Sequence, residues 1–408
     1  MFVTRLEGGP KKVNHAAVAI EDKIFCFGGY CSGEDYEESR AMEVYVLDVD
    51  SLRWKMLPAP LDFTSDICRS DVPYHRYGHS AAAWKHYAYI WGGRNDLAGA
   101  CNTLYCFDTE KTTWARPKMH GRCPDKRDGH SAAILEDTMY IFGGFEETRD
   151  RFSSAIFAYH ILYSTWNTIR LAPGSPQPMP RDFTTMVPLE DKLYVWGGRG
   201  DLDEDGQHTG IEKYDNFLWR FDPRACTWTQ VETLNGVAPP SRRSHTSFVR
   251  RGKFYIFGGY DGTDHFNDMW MFDPRASEAK WSQITFSAKK FVPKPRRRMA
   301  CCVANDRLFL FGGTSPVTLE YPYSTSFLPE APLFDHDDLF LMEFMPKLKT
   351  LALVRRRSSF FQVAQLSSQV CRERAPLGRP VLPSLFAGVL IAIQCSVAIS
   401  CLFHLGIF

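Results

Sequence analysis

Six short apolar stretches, each ending in two glycines, recur through the 408-residue chain. They stand roughly 50 to 65 residues apart, and a period of this length is typical of repeat architectures such as solenoids and propellers. A chain this long needs either several domains or a repeat architecture, and the regular spacing favours the second. The glycines are Gly28, Gly29, Gly92, Gly93, Gly143, Gly144, Gly197, Gly198, Gly258, Gly259, Gly312 and Gly313.

Further features repeat in phase with the glycines. Most pairs are preceded by a basic-x-x-His-small element, as in RYGHSAA and RDGHSAA, and several repeats carry an apolar residue followed by Asp, as in Leu47-Asp48. The runs between them alternate apolar and polar residues and are rich in β-branched and aromatic side chains, which favours strands over helices. Each repeat is therefore predicted to form four short strands. In the first five repeats the fourth strand carries a tryptophan: Trp54, Trp114, Trp166, Trp228 and Trp281.

A ring is the arrangement that lets such sheets bury both faces and protect their edges. Glycine is expected where adjacent sheets converge, since it adopts a positive φ without a Cβ penalty, and each tryptophan offers a large apolar face to the neighbouring sheet. The sixth repeat lacks a tryptophan-bearing fourth strand, and Phe2 to Glu7 is a strand-like segment without a repeat. The predicted fold is all-β. It is a six-bladed β-propeller over residues 1–346 that an N-terminal strand closes, followed by an irregular or helical C-terminal tail.

These repeats resemble the kelch repeat, and the resemblance extends from residue 1 to about residue 346 in six in-phase copies. The segments FGGYCSGEDY, VPYHRYGHS and RDGHSA are similar to those of a group of kelch domain-containing proteins that serve as substrate receptors of cullin–RING ubiquitin ligases. The resemblance implies a non-enzymatic protein without a cofactor. It also implies recognition of target proteins by their C-terminal residues, with elongin and a cullin scaffold as partners.

In that group the segment after the last blade docks elongin and the cullin. Leu348 fits the elongin-binding pattern, but Ala352 occupies the position where the pattern has cysteine. The linker that contains them, residues 347–381, is basic and differs from the cullin-docking sequence of the group. A second hypothesis is therefore a kelch interaction scaffold that recruits no ligase.

The C-terminal segment, residues 382–408, contains no Asp, Glu, Lys or Arg. About 20 apolar residues suffice to cross the hydrocarbon core of a bilayer. Arg372, Arg374 and Arg379 precede the segment, as the positive-inside rule requires for a cytosolic domain. The segment is thus a candidate tail anchor, and an unusual C-terminus without a membrane is the alternative.

The sequence speaks against several other classes. The formal net charge is +1, so no overall field favours nucleic acid. The twelve cysteines form no C-x-x-C pair and the N-terminus lacks a secretory apolar region, which favours the cytoplasm, with the nucleus as the alternative. No G-x-S-x-G, Walker or H-E-x-x-H motif occurs. The histidines of the repeats each begin a different blade, so they are expected to pack or to bond blade backbone rather than to bind a metal: His15, His79, His130 and His245.

One stretch, DLDEDGQHTGIE at residues 201–212, has the spacing of a calcium-binding loop. Such a loop needs a helix on each side to orient its ligands. Here the flanks are LYVWGG and YDNFLWRFD, which both read as strands. The stretch is therefore predicted to be an acidic surface loop inserted in the fourth blade.

Arginines recur at the positions that should surround the mouth of the central channel. The residues after each glycine pair and those before each His-small element flank the two innermost strands, so both sets are expected at the same end of the ring. Guanidinium pairs bidentately with carboxylate, which makes a peptide C-terminus or an acidic motif the expected ligand. The alternative is that these arginines brace neighbouring blades. The predicted ligand-binding residues are Arg76, Arg94, Arg127, Arg181, Arg199, Arg242, Arg297 and Tyr260.

Overall fold

Strands form nearly all of the regular structure in the computed structural model, which describes residues 1–32, 40–60, 63, 71–202, 208–233, 237–275, 279–286, 292–317 and 332–344. Within those residues the only helix is a single 3-10 turn, Glu147–Arg149. All of them lie in one compact unit, Met1–Met345.

Six antiparallel sheets form the blades of a propeller, as the sequence predicts, and each has four strands in the same order from the axis outward. Blade 1 is built from Ala16–Ile20, Lys23–Phe27, Val44–Asp48 and Arg53–Met56. Blade 2 is built from Tyr77–Trp84, Tyr87–Asn95, Tyr105–Asp108 and Thr113–Ala115. Blade 3 is built from Ser131–Leu135, Thr138–Phe142, Ile156–His160 and Thr165–Thr168. Blade 4 is built from Thr185–Leu189, Lys192–Trp196, Leu218–Asp222 and Thr227–Val231. Blade 5 is built from Thr246–Arg250, Lys253–Tyr260, His265–Phe272 and Trp281–Gln283. Blade 6 is built from Ala300–Ala304, Arg307–Phe311, Leu339–Glu343 and Phe2–Leu6.

Shorter strands extend the blades. One of them, His120–Gly121, pairs in parallel with the outer strand of blade 3. The others surround one end of the ring, beyond the second strands of the blades: Gly99–Ala100, Arg127–Asp128, Phe145–Glu146, Arg151–Phe152, Arg199–Leu202, His208–Tyr214, Thr314–Pro316 and Leu333–Asp335.

The N-terminal strand completes blade 6, which confirms the predicted closure. Phe2–Leu6 pairs antiparallel with Leu339–Glu343, and Val3 stands opposite Met342 where a tryptophan stands in the other blades. Blade 6 thus joins the first strand of the chain to the last three strands of the propeller. This pairing covers an edge that would otherwise be open to other chains.

A closed circle of six backbone hydrogen bonds links the blades. One residue in each blade lies at a φ between 45° and 67°, and its N–H donates to the carbonyl oxygen of the equivalent residue in the preceding blade at 2.7 to 3.0 Å. The left-handed conformation suits glycine but is strained for a bulky side chain, so the closed circle holds Phe183 in a conformation it would otherwise rarely adopt. The six residues are Asn14, Gly78, Gly129, Phe183, Ser244 and Arg298.

The tryptophans pack against the preceding blade, as predicted. Between ring centroids, Trp166 lies 5.8 Å from Trp91 and Trp228 lies 5.1 Å from Phe142. In each case the partner is the aromatic residue just before a glycine pair. Aromatic burial of this kind contributes much of the cohesion of a core. The other pairs are Trp54 with Phe311, Trp114 with Phe27, and Trp281 with Trp196.

Buried histidines fill the space beside the glycine pairs. A Cβ on Gly93 would lie 2.6 Å from the Cβ of His79, and one on Gly197 would lie 2.7 Å from the Cε1 of His245, so both contacts require glycine. Burial lowers the pKa of His130 and of His245 to about 3. These histidines are therefore neutral packing residues at physiological pH, in agreement with the sequence prediction.

The acidic stretch in blade 4 begins and ends in strands. The predicted flanks form the strands Lys192–Trp196 and Leu218–Asp222. Part of the predicted loop is itself a two-stranded ribbon, because Arg199–Leu202 pairs antiparallel with His208–Tyr214. Glu212, which would be the last calcium ligand, binds the guanidinium of Arg199 and the hydroxyl of Tyr214. Residues 203–207 lie outside the described part of the chain.

The C-terminal predictions also fall outside it. The linker 347–381, with Leu348 and Ala352, and the apolar segment 382–408 are not among the described residues. Within the described ranges, no helix has the length and apolar character needed to cross a membrane.

Candidate functional site

Six equivalent residue pairs surround one end of the propeller. In each blade, the residue that follows the glycine pair forms a backbone bridge with the residue that immediately precedes the positive-φ residue of that blade. Both sets of predicted positions therefore meet at this end, which we call the mouth. The pairs are Val13–Tyr30, Tyr77–Arg94, Asp128–Phe145, Asp182–Arg199, Arg243–Tyr260 and Arg297–Thr314.

Beneath these pairs, buried arginines brace the blades. In blade 3 the Nε of Arg127 donates to the carbonyl oxygen of Asp125 at 3.1 Å, Nη1 donates to that of Gly143 at 2.9 Å, and Nη2 donates to the Glu146 carboxylate at 2.9 Å. Arg181, Arg242 and Arg296 donate to the same three kinds of acceptor. Their carboxylate partners are Asp215, Asp268 and Asp338, respectively.

This bracing revises four of the predicted ligand-binding residues. Their side chains are sealed, at 0 to 1% exposure, and they donate to acceptors of their own blades. A guanidinium held in this way has little to offer a ligand, and breaking a buried ion pair leaves an uncompensated charge. Bracing, the alternative that the sequence left open, is what the contacts support for Arg76, Arg127, Arg181 and Arg242.

In blade 6 the brace is Arg296, not its neighbour Arg297. The signal that identifies it is spacing: the brace stands 16 residues before the first glycine of its blade in five blades. Arg297 is 3% exposed and its guanidinium lies 4.5 Å from the ring centroid of Tyr260. Neither Arg297 nor Tyr260 lines the mouth cavity described next, and their contact with a ligand stays a prediction.

A cavity of about 340 Å³ opens at the mouth. It contains two of the predicted arginines, Arg94 and Arg199, and a third that the sequence reading missed. That third residue, Arg298, is one of the six positive-φ residues that link the blades. The equivalent residue in blades 2 and 3 is a glycine, so the repeat pattern does not indicate an arginine at this position. The cavity is lined by Asn14, Tyr30, Tyr77, Arg94, Asp96, Asp128, Phe183, Arg199 and Arg298.

The three cavity arginines differ in how far the protein satisfies them. Arg199 donates two hydrogen bonds to Asp182, at 2.9 and 3.1 Å, and also binds Glu212. Arg298 donates from Nη1 to the Tyr30 hydroxyl at 2.6 Å, but its Nε is buried and has no hydrogen-bond partner within the described part of the chain. The Nε of Arg94 is in the same situation. Both residues are only partly buried, so the protein leaves their guanidinium groups incompletely satisfied at the cavity wall.

Two carboxylates give the cavity a mixed charge. Asp96 accepts a hydrogen bond from the Tyr77 hydroxyl at 2.7 Å. Burial and, to a smaller extent, the nearby carboxylate of Asp182 raise the pKa of Asp128 to about 6, while Arg94 acts in the opposite direction. The charge at the mouth thus varies between pH 5 and pH 7.

A Ser-His-Asp grouping in blade 6 is sealed from solvent. The Oγ of Ser315 lies 2.6 Å from the Nε2 of His336, whose Nδ1 lies 3.8 Å from Asp338. Each of the three is 3% exposed, and Arg296 bonds both carboxylate oxygens of Asp338. A nucleophile must be reached by its substrate, so we interpret this grouping as a structural network.

Within the described residues, one group has the spacing of metal ligands. Single donor atoms of His86, Asp108 and Glu110 lie within 4.8 Å of one another. Asp108 accepts hydrogen bonds from the backbone N–H groups of Glu110 and Lys111, the pattern of an Asx turn. That turn, which ends the third strand of blade 2, accounts for the geometry.

Comparison with known proteins agrees with this architecture. A sequence profile described as the KLHDC2/KLHL20/DRC7 Kelch-repeats domain matches residues 14–146 and 78–313. The chain is 43% identical over 357 residues to Kelch domain-containing protein 3 of Homo sapiens, which covers 86% of this chain and 88% of that protein. It is 28% identical over 265 residues to Kelch domain-containing protein 1 of Mus musculus, covering 59% and 64% respectively. It is also 27% identical over 263 residues to Host cell factor 1 of Homo sapiens, covering 61% of this chain and 12% of that protein. The six in-phase blades and these identities show that the chain belongs to the kelch-repeat family, whose propellers are modules for protein interaction.

Proposed function

We propose that this protein is a substrate-recognition subunit of a cullin–RING ubiquitin ligase that binds the C-terminal residues of target proteins at the mouth. One observation carries the binding half of the proposal: Arg94 and Arg298 both line the mouth cavity, and the Nε of each has no hydrogen-bond partner among the residues that the structure describes. A buried donor without an acceptor is costly. Both residues are partly exposed, so a ligand that brings acceptors can pair with their guanidinium groups at this place.

A terminal carboxylate is the ligand group that best fits these donors. Guanidinium and carboxylate form paired, charge-assisted hydrogen bonds, and such bonds are stronger in a recess than on an open surface. Arg199 contributes less, because Asp182 and Glu212 already bind it. The rings of Tyr30, Tyr77 and Phe183 offer apolar surface to the side chains next to the carboxylate.

Peptides that end in a free carboxylate test the binding half. We expect a peptide array on the full-length protein to yield ligands whose affinity falls at least about tenfold on C-terminal amidation, since a charged pair in a recess is worth more than about 1.4 kcal/mol. Arg298→Ala and Arg94→Ala should cause a similar loss. Arg224→Ala is the matched control, because its side chain is 76% exposed and its blade position lies outside the cavity.

The combination of variant and peptide decides the assignment. Once Arg298 or Arg94 is replaced, amidation should have little further effect, because the two changes remove the same interaction. Equal binding of free and amidated peptides by the unmodified protein would refute carboxylate recognition. If the losses of affinity caused by the substitution and by amidation add up, the peptide carboxylate binds at another place.

The ligase half of the proposal rests on the family resemblance and concerns the linker 347–381. Leu348 fits the elongin-binding pattern and Ala352 departs from it. Co-purification of elongin and a cullin with the full-length chain tests this half. If both are absent, carboxylate recognition can still hold, but the ligase role fails.

The departure at Ala352 favours one second candidate, a kelch interaction scaffold without ligase recruitment. The charge-free segment 382–408 would then be its membrane anchor. In either case we place the propeller in the cytoplasm, with the nucleus as the alternative compartment. Fractionation of cells that express the full-length chain, with and without residues 382–408, distinguishes anchored from soluble protein.

A further inference from the structure

Blade 2 contains a brace arginine that has no carboxylate partner among the described residues. In the other blades the brace pairs with an acid: Arg127, Arg181, Arg242 and Arg296 do so, and in blade 1 Lys12 binds Glu43 at 2.9 Å. Arg76 of blade 2 is 1% exposed. Its Nε and Nη1 donate to the carbonyl oxygens of Tyr74 and Gly92, but its buried Nη2 has no hydrogen-bond partner in the ranges that the structure describes. A buried cation without a counter-charge is strongly unfavourable.

In an alignment of blade 2 with blade 4, Cys101 stands at the position of the acid that binds the brace. Blade 4 has the segment Asp215-Asn216-Phe217-Leu218 before its third strand, and blade 2 has Cys101-Asn102-Thr103-Leu104. Asp215 is the acid that binds the brace Arg181. The alignment thus places a thiol where blade 4 has a carboxylate.

Hydrogen bonds confirm that the two segments have the same local structure. The N–H of Phe217 donates to the Oδ1 of Asp215 at 2.6 Å, and the N–H of Thr103 donates to the Sγ of Cys101 at 3.3 Å. The indole of the aromatic residue before each glycine pair donates to the asparagine carbonyl at 3.0 Å: Trp196 to Asn216 and Trp91 to Asn102. The sulfur of Cys101 therefore acts as an acceptor in the same turn as the Asp215 carboxylate.

The electrostatics of this thiol differ from those of the other buried cysteines. Burial by itself raises the pKa of Cys101, but the charge of Arg76 and the hydrogen bond from Thr103 outweigh it and hold the pKa below its usual value. Burial raises the pKa of Cys106 and Cys301 to about 12, and that of Cys123 to about 11.

We propose that Cys101 is the counter-ion of Arg76, a thiolate in the folded protein at neutral pH, and that it is a modification site for hydroperoxides and other small electrophiles. The thiolate is the nucleophilic form of cysteine. When it attacks a hydroperoxide, an S–O bond forms and the O–O bond breaks. The leaving oxygen carries away the electron pair and takes a proton from water, so the sulfur is oxidised by two electrons and the peroxide is reduced. Cys101 is 6% exposed, which limits the reaction to small reagents.

The pH dependence of alkylation tests the charge and the access together. Iodoacetamide reacts with the thiolate: a C–S bond forms and iodide leaves. On the full-length chain, with peptide-resolved mass spectrometry, the Cys101 rate should change less than about twofold between pH 7 and pH 9, because the thiol is already ionised. The same cysteine in the urea-unfolded chain should gain about 25-fold over that range, as an ordinary thiol with a pKa near 8.5 does. A folded-state profile that follows the unfolded one, or no labelling of Cys101 in the folded chain, would overturn the proposal.

Exchange of residues between the two blades provides a second test. Cys101→Asp copies blade 4 and should keep the midpoint of thermal unfolding close to that of the unmodified protein. Cys101→Ser should lower it, because serine carries no charge. If the serine variant is as stable as the unmodified protein while the aspartate variant is not, or if the two are equally destabilised, Arg76 needs no anionic partner and the proposal fails.

Discussion

At the scale of single residues, burial separates two classes of arginine that look alike in the sequence. The guanidinium of Arg242 is enclosed by the carbonyl oxygen of Gly258 and the carboxylate of Asp268. Arg94 lines the mouth cavity, and its Nε finds no hydrogen-bond partner among the residues described. The first class holds the blades together, and the second is the one that we propose for ligand binding.

A pair of alanine substitutions separates the two classes. Arg242→Ala should lower the free energy of unfolding by about 3 to 5 kcal/mol, because it strands Asp268 without its counter-charge. Arg94→Ala should change it by less than about 0.5 kcal/mol. Urea denaturation measures both. If Arg242→Ala is as stable as the unmodified protein, the bracing role assigned to it is wrong.

At the scale of elements, the propeller depends on one strand that comes from the far end of the chain. Phe2–Leu6 is the outer strand of blade 6, and Val3 packs with the apolar residues between blades 5 and 6. The other blades take all four of their main strands from one continuous segment. Blade 6 is thus where the ring can open without disrupting another blade.

Deletion of residues 2–6 should weaken blade 6 before any other blade. The edge of Leu339–Glu343 would lose its partner, so we expect faster hydrogen exchange there and in Arg307–Phe311, and a lower unfolding midpoint. The amides of Ser131–Leu135 and Thr138–Phe142 in blade 3 serve as the internal control. Equal acceleration in both blades would mean that the ring opens as a whole.

At the scale of the whole molecule, buried neutral histidines make folding sensitive to acid. Burial is the main cause that lowers the pKa of His15, His130 and His245 to about 3 and that of His75 to about 4. An unfolded histidine titrates near pH 6.5, so below this pH the unfolded chain binds protons that the folded one does not, and stability falls as the pH falls. Asp128 opposes this trend. Its pKa is raised in the folded state, so as the pH falls the folded protein binds a proton at Asp128 before the unfolded chain does, and this contribution stabilises the fold.

We therefore expect the free energy of unfolding to decrease from pH 6.5 to pH 5. Each buried histidine contributes about 0.7 kcal/mol per pH unit to the slope at pH 6.5, and this contribution approaches about 1.4 kcal/mol per pH unit near pH 5. His130→Thr copies blade 4, where Thr184 holds this position and donates to the carbonyl oxygen of Trp196 at 2.9 Å. Urea denaturation at several pH values should give that variant a smaller slope. A stability that does not vary between pH 7 and pH 5 would contradict the assignment of neutral histidines.

The sequence by itself determined the blades and their closure. Alternation of apolar residues, glycine at positive φ and one tryptophan per repeat are local requirements, so they are visible in the order of residues. Phe2 to Glu7 was predictable as the sixth outer strand because the last repeat lacked one. The predicted mouth positions also meet at one end, since a fixed repeat places equivalent residues at equivalent heights.

Only the tertiary structure decided what each arginine does. Arg296, Arg297 and Arg298 are adjacent in the chain, yet the first braces blade 6, the second lies against Tyr260 and the third lines the mouth cavity. The side-chain partners that separate the first two are a carboxylate 42 residues away and a ring on the neighbouring blade. Burial of a charge is a property of the closed ring, because its surroundings come from segments that are distant in sequence and meet only after the blades assemble.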